Sequence, residues 1–165
     1  TLTYYWPSGG SEQKMPGIML QDALRGLGVE LKMVEMPWPS IVERVTKKET
    51  LPDVMTLINT PFAADPASGL LHQFYHSSRV GATYNWGWYV NPKVDQLLDE
   101  AERTLDDVKR LDLARQIQQI VIDDAAGIFI AYPKKWFIVS KGLKGVKYNL
   151  ISMEWYPWYD MYIEK

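Results

Sequence analysis

Tyr84-Asn85-Trp86-Gly87-Trp88-Tyr89 gathers four large rings around one glycine. Neighbouring side chains on an extended chain point to opposite faces, and Gly87 makes the run a poor core strand. The chemistry these residues offer is stacking. A sugar ring, a peptide or another flat-faced ligand can lie against an indole or phenol while the polar atom of the ring stays wet. Trp6, at the end of the aromatic run TLTYYW, offers the same kind of surface. The plainer alternative packs one side of such a run inward and covers an edge with the other, and both readings stay open at this stage.

His72 and His76 stand four apart, so a helix presents both imidazoles on one face, the spacing used for zinc. The residues between them lack the glutamate of a metalloprotease signature, and no third ligand is evident nearby. They read as two surface or loop histidines, and no metal is assigned. Carboxylates recur at Asp99-Glu100, Asp106-Asp107 and Asp123-Asp124, nearly all beside basic residues, as with Asp106 and Arg110 at i,i+4. Solvated helix faces and end charges explain them, and nothing in their spacing asks for a hydrolytic pair. Ser8-Gly9-Gly10 has the strand-to-helix context of an anion site but no Lys-Ser/Thr pair, so it reads as a loop. No nucleophile elbow, phosphate-binding loop or dinucleotide fingerprint is present, and no cofactor is implied.

The absence of cysteine excludes disulfides, thiolate chemistry and cysteine–zinc sites. With 18 basic and 20 acidic side chains the net charge is −2, which gives no electrostatic reason to invoke nucleic acid or an anionic membrane. No apolar run approaches the roughly 18 residues of a membrane helix. A chain of 165 residues that is 47% hydrophobic supports one globular domain with a sizeable core. Seven Trp and ten Tyr against four Phe favour rings with a polar tip, which suit wet binding surfaces.

Elements that would position these residues follow in order. Thr1 to Trp6 reads as a strand closed by Pro7-Ser8-Gly9-Gly10. Met15, Ile18, Met19, Ala23, Leu24 and Leu27 form a helical stripe, with Pro16 in the first turn and Gly28 as C-cap. Val29 to Met36 alternates as a strand, Ser40 to Lys48 makes a short helix, and Pro52 to Ile58 a central strand. That β-α-β-α-β order predicts an α/β fold with a mostly parallel or mixed sheet flanked by helices. A short helix is expected near 68–75. Asn91-Pro92 starts a helix that buries Val94, Leu97, Leu98 and Ala101. Thr104 to Asp107 starts another, with Val108, Leu111, Ala114, Ile117 and Val121 on one stripe. Ile128 to Tyr132 and Trp136 to Ser140 read as closing strands. The chain opens directly on a strand, which reads as a trimmed piece or fragment.

The ordered set PDVMTLIN-TPFAADP, YNWGWYVNPKVDQLLDEA and TLDDVKRLDLARQIQQIVIDDAAGIFIAY resembles the C-terminal lobe of the extracytoplasmic solute-binding proteins of peptide/nickel-type ABC transporters. Asp65-Pro66, Asn85, Asn91-Pro92 with Asp95, Asp106 with Arg110, and Gly145-Val146 fall where that family's pattern expects them. The resemblance runs from the opening strand to GLKGVKYN. It implies one lobe of a periplasmic-binding-protein-like type II fold over residues 1–165. It further implies a monomer that captures a small-molecule solute, peptide or oligosaccharide, at the periplasmic or extracellular face of the membrane. Delivery to the ABC permease membrane subunits would follow, with no reaction catalysed. Peptide-binding members usually carry an aspartate three residues before the Asp-Pro pair, where it meets the peptide's amino group; here that residue is Phe62. The tryptophan often found three residues earlier is Asn59. A phenyl ring offers a face where a carboxylate would pair with an ammonium, which favours a neutral or ring-shaped ligand.

The expected contacts are Trp6, Asn59, Phe62 and Trp86, then Trp88 and Tyr89, with Asn59 and Asn85 supplying hydrogen bonds. Asp65 and Asp95 are expected to serve loop and cap geometry. By itself such a lobe is expected to bind its solute weakly. The competing classes are a carbohydrate-active hydrolase with a carboxylate in the aromatic cleft and an interaction domain that meets a protein through its Trp and Tyr surface.

Overall fold

A computed structural model describes residues 1–59, 65, 67–82, 84–131, 138–147 and 158–164. The chain divides into two compact units, Thr1–Asn59 with Ser77–Val90, and Thr60–His76 with Asn91–Lys165.

The first unit is built on strand β1 (Leu2–Pro7), which lies between β2 (Leu31–Met36) and β3 (Val54–Met55). Both pairings are parallel, with Tyr4 opposite Met33 on one side and Val54 on the other. The expected β-α-β-α-β order is therefore present, with helix α1 (Ser11–Arg25) and helix α2 (Trp38–Val45) as the crossovers. The expectation of a central strand at 52–58 is corrected. Among the described residues β1 is central, and β3 pairs only with it.

Alternation along β1 sends Tyr4 and Trp6 to one face and Tyr5 to the other. On the first face Tyr4, Trp6 and Leu31 are buried with Leu20 and Leu24 of α1, Met33 and Val54. The inward side of α1 is not the predicted stripe. Met15, Met19 and Leu27 are more than half exposed, and Gly17 is the helix's buried residue. The cause is close approach. A Cβ on Gly17 would stand 2.5 Å from Tyr4 Cε1 and 2.8 Å from Met33 Cε, so only a glycine lets the helix lie this near the sheet. Polar anchors hold the same rotation, since the Tyr4 hydroxyl donates to the Gln13 carbonyl and Gln21 Nε2 donates to the Leu31 carbonyl. The helix also begins at Ser11, which places Pro16 inside it instead of in its first turn, and Gly26 takes the C-cap position instead of Gly28.

On the opposite face Ile41 and Val45 of α2 are fully buried against Trp86, with Met36, Met55 and Leu57 around them. The Arg44 guanidinium sits 6.0 Å from the Tyr5 ring. The opening of β3 is tied to β1 by Asp53. Its carboxylate accepts from the Thr3 N–H at 2.7 Å and the Thr3 hydroxyl at 2.8 Å.

The second unit is helical at its centre. A π-helical turn (Ala67–Leu71) runs into α3 (His72–Tyr75), and both pack with α4 (Pro92–Arg103). Helix α5 (Asp107–Asp123) packs on α4. The Asn91 cap is the one the sequence announces, whereas α5 is capped by Asp106, and Thr104, first residue of the expected capping box, is the C-cap of α4. Asn91 Oδ1 accepts from the Lys93 N–H, and Asp106 Oδ1 accepts from the Lys109 N–H. Val94, Leu97, Leu98 and Ala101 are buried as predicted. On α5 the buried residues are Leu113, Ala114, Ile117 and Val121, whereas Val108 and Leu111 are exposed. The inward stripe therefore starts at the second turn and from Ala114 onward follows the predicted track, with Leu113 added beside it.

Arg110 pairs with Asp65, not with Asp106 one turn back. Asp65 also accepts from the Ala67 N–H at 3.3 Å, the loop role expected of it. The predicted strands at 128–132 and 136–140 are not strands where they are described; residues 132–137 lie outside the described set. Ile128, Phe129, Ile130 and Ile138 are exposed, and among the described residues no neighbouring strand pairs with them. Farther on, β4 (Leu143–Lys144) and β5 (Tyr162–Ile163) form an antiparallel pair. Gly145, at φ 77°, follows β4 where a side chain would collide with the Asp160 carbonyl.

Thr3 holds the Asp53 carboxyl below the usual carboxylate range, chiefly through its backbone N–H. A depressed folded pKa stabilises above the unfolded value of about 3.9 and is lost as pH falls through the folded one. Asp53→Asn therefore lowers the urea midpoint at pH 7, and the gap to the parent protein narrows as the pH is taken down to about 3.

Candidate functional site

The aromatic run closes on itself through side chains. Asn85 is fully buried, and its amide acts as a strand partner would. Oδ1 accepts from the Tyr89 N–H at 3.0 Å, and Nδ2 donates to the Tyr89 carbonyl at 2.8 Å. The indoles turn their polar atoms inward. Trp86 Nε1 donates to the Ala82 carbonyl at 3.2 Å, and Trp88 Nε1 donates to the Val45 carbonyl at the end of α2, at 3.1 Å. Tyr84 (φ 77°) and Trp88 (φ 52°) both hold left-handed backbone conformations. For side chains this large such conformations cost about 1–3 kcal/mol each and persist only where the surroundings impose them.

Trp86 lies edge-on to Trp38, ring centres 5.4 Å apart and planes at 63°, and at the same distance from Tyr84. It caps Ile41 and Val45 and is 6% exposed. Trp6 is on the opposite face of the sheet, 7% exposed, with its ring beside Tyr4 and the Lys14 ammonium 5.7 Å from its centre. The expectation that Trp6 and Trp86 share one wall is thus corrected. Alternation along β1 directs Trp6 toward α1, while Trp86 belongs with α2. Asn85 is corrected as well, because both ends of its amide are engaged within the turn.

Trp88 and Tyr89 are half-buried, and Gly87 and Asn59 are exposed. Phe62 lies outside the described residues. Trp38 was not among the predicted contacts, yet it keeps 42% of its surface exposed beside Trp86. The signal for it was present in Pro37-Trp38-Pro39, a ring held at a helix start between two prolines. From Val80 to Val90 the chain carries no ionisable group except Tyr84 and Tyr89. The turn offers apolar faces and backbone polar groups, and no carboxylate for acid–base work.

In the second unit His72 is 8% exposed and the His76 side chain 14%. His72 opens α3 and is buried, not the surface or loop residue expected, whereas His76 stands just past the helix as its C-cap, in an extended conformation. One ligand atom each from His72, His76 and Asp99 lies within 4.8 Å of the others. Asp95, placed by sequence in a cap, has Oδ1 3.9 Å from His76 Nδ1.

No protein-family profile matches the chain. It is 28% identical over 149 residues to a probable D,D-dipeptide-binding periplasmic protein, DdpA of Escherichia coli (strain K12), covering 90% of this chain and 28% of that protein. It is 26% identical over 132 residues to the oligopeptide-binding protein AppA of Bacillus subtilis (strain 168), covering 80% of this chain and 24% of AppA. The chain thus spans about a quarter of the length of these relatives. Among solved structures, a putative peptide-binding protein AppA from Clostridium difficile superposes with a TM-score of 0.78 at 23% identity, over 99% of this chain and 33% of that one. The fold is α/β, of the type II periplasmic-binding-protein kind.

Asn85→Ala leaves the Tyr89 N–H and carbonyl without their side-chain partner in a buried setting. The expected loss is about 2–3 kcal/mol in urea unfolding followed by tryptophan fluorescence. An unchanged midpoint would show that the turn does not depend on this amide.

Proposed function

We propose that this chain, similar along nearly its whole length to the extracytoplasmic solute-binding proteins of peptide/nickel-type ABC transporters, supplies part of a site that captures a small solute for uptake. The observation that carries the reading is its similarity to a D,D-dipeptide-binding and an oligopeptide-binding protein over 80–90% of its own length. The solute is bound without chemical change and passed to ABC permease subunits, the protein acting as a monomer outside the cytoplasm. The contact surface assigned in the first unit is Trp88, Tyr89, Trp38 and Asn59, with Trp86 and Asn85 as the fixed base beneath them. Two strained residues four positions apart, Tyr84 and Trp88, support that assignment, since strain concentrates where a ligand must be met by a preset surface.

Peptide is the first solute class, following the relatives. Oligosaccharide is the second, and a specific observation favours it. Phe62 and Asn59 stand where peptide-binding members carry Asp and Trp, so an ammonium would lose its carboxylate while a sugar ring would meet an aromatic face.

A thermal-shift panel of di- to nonapeptides and oligosaccharides decides between them, because a bound solute raises the melting point with its occupancy. One class should shift the protein, mass spectrometry should recover that solute intact, and Trp88→Ala should weaken binding by about tenfold. Because the chain by itself is expected to bind weakly, the panel runs up to about 10 mM solute; hydrolysis of the solute, or no shift with either class at that concentration, would contradict the proposal.

A further inference from the structure

We propose that His72, His76 and Asp99 form a binding site for a divalent transition-metal ion of the zinc type, stapling α3 to α4. His72 opens α3 and His76, four residues on, is its C-cap, the His76 N–H donating to the His72 carbonyl; their rings stack with centres 4.5 Å apart and planes at 24°. Helix α4 answers with Asp95, Asp99 and Glu102, spaced i, i+4 and i+7, which places three carboxylates along one of its faces. His76 Nε2 is 3.4 Å from Asp99 Oδ1, and His72 Nε2 is 3.4 Å from Glu102 Oε1.

Two nitrogens bound to one tetrahedral ion at about 2.0–2.1 Å sit roughly 3.4 Å apart. Ligand atoms already within 4.8 Å of one another reach that separation by small side-chain rotations. The orientation of His76 suits metal chemistry. Its Nε2 faces Asp99 in the ligand set, while Nδ1 is turned toward Asp95 at 3.9 Å, the carboxylate that a metal-bound imidazole uses to fix its tautomer. Glu102 is near enough to enter as a second carboxylate. Imidazole with carboxylate, and no thiolate in the chain, selects zinc, cobalt or nickel over calcium or magnesium. The third ligand escaped the sequence reading because Asp99 comes from another helix, 23 positions beyond His76 in the chain.

The site is tested by titrating ZnCl2 and CoCl2 into metal-stripped protein by calorimetry, with the visible absorption of bound Co2+ as a second readout. One ion per chain is expected, with a rise in melting temperature that a chelator reverses. His76→Gln and Asp99→Asn should each weaken binding by about tenfold or more, while Asp112→Asn on the exposed side of α5 should leave it unchanged. Asp99 is half-exposed, so its variant keeps the test available if a histidine variant fails to fold. No saturable binding up to about 1 mM metal, or binding that survives both His76→Gln and Asp99→Asn undiminished, would overturn the proposal.

Discussion

Burial of the Tyr4 hydroxyl is the constraint on which the first unit rests. A phenol taken out of water costs free energy unless its oxygen is satisfied. Here it donates to the Gln13 carbonyl and shares a 2.6 Å hydrogen bond with Thr56 Oγ1. Burial pushes its pKa up. Those two partners come from α1 and from the residue after β3, so one side chain couples the central strand to its helix and its neighbouring strand. The rotation of α1 follows from this, with Gly17 against the ring. So does the direction of Trp6, which must share the face of Tyr4 two residues before it. A ring that looks in the sequence like a ligand platform is thereby committed to the core.

The opposite face of the same sheet provides the support for the aromatic turn. Trp86 closes over Ile41 and Val45, and the Trp88 indole is hydrogen-bonded to the last carbonyl of α2. Energy from this packing and from the buried Asn85 amide offsets the backbone strain at Tyr84 and Trp88. The result is a rigid presentation of Trp88 and Tyr89, half-buried beside the exposed Gly87. Preset surfaces lose little conformational entropy when a ligand arrives. The helical unit is stabilised differently, by caps at Asn91 and Asp106, by an apolar seam, and by ion pairs. Arg110 with Asp65 is partly buried, whereas Lys109 with Glu100 is surface-exposed and adds little.

Local signals in the sequence proved reliable where one element decides its own form. The β-α-β-α-β order, the Asn91-Pro92 start and the buried stripe of α4 all depend on spacing and cap chemistry within a few residues. The failures share a cause, which is contact between distant segments. The α1 stripe was misphased because Gly17, the least hydrophobic-looking choice, is what the Tyr4 ring requires. Arg110 leaves its i,i+4 neighbour for Asp65, 45 positions away. Trp6 and Trp86 could not be assigned to opposite faces without knowing which helix covers which side. Asn85 looked like a ligand donor because its partner is the backbone of Tyr89, a bond that no residue pattern announces. Residues 128–131 are β-like in composition, but a strand exists only where an edge is there to receive it.

In the function proposed above, a small solute would meet Trp88 and Tyr89 while Trp6, 7% exposed, stays in the core. The most direct measurement is the set of indole N–H signals in 15N-resolved NMR spectra, assigned by substituting each tryptophan and followed as the solute selected by thermal shift is added. The Trp88 signal should move saturably and in step with occupancy, with the Trp6 signal unmoved. A saturable shift at Trp6 with none at Trp88 would contradict the assignment of the binding surface.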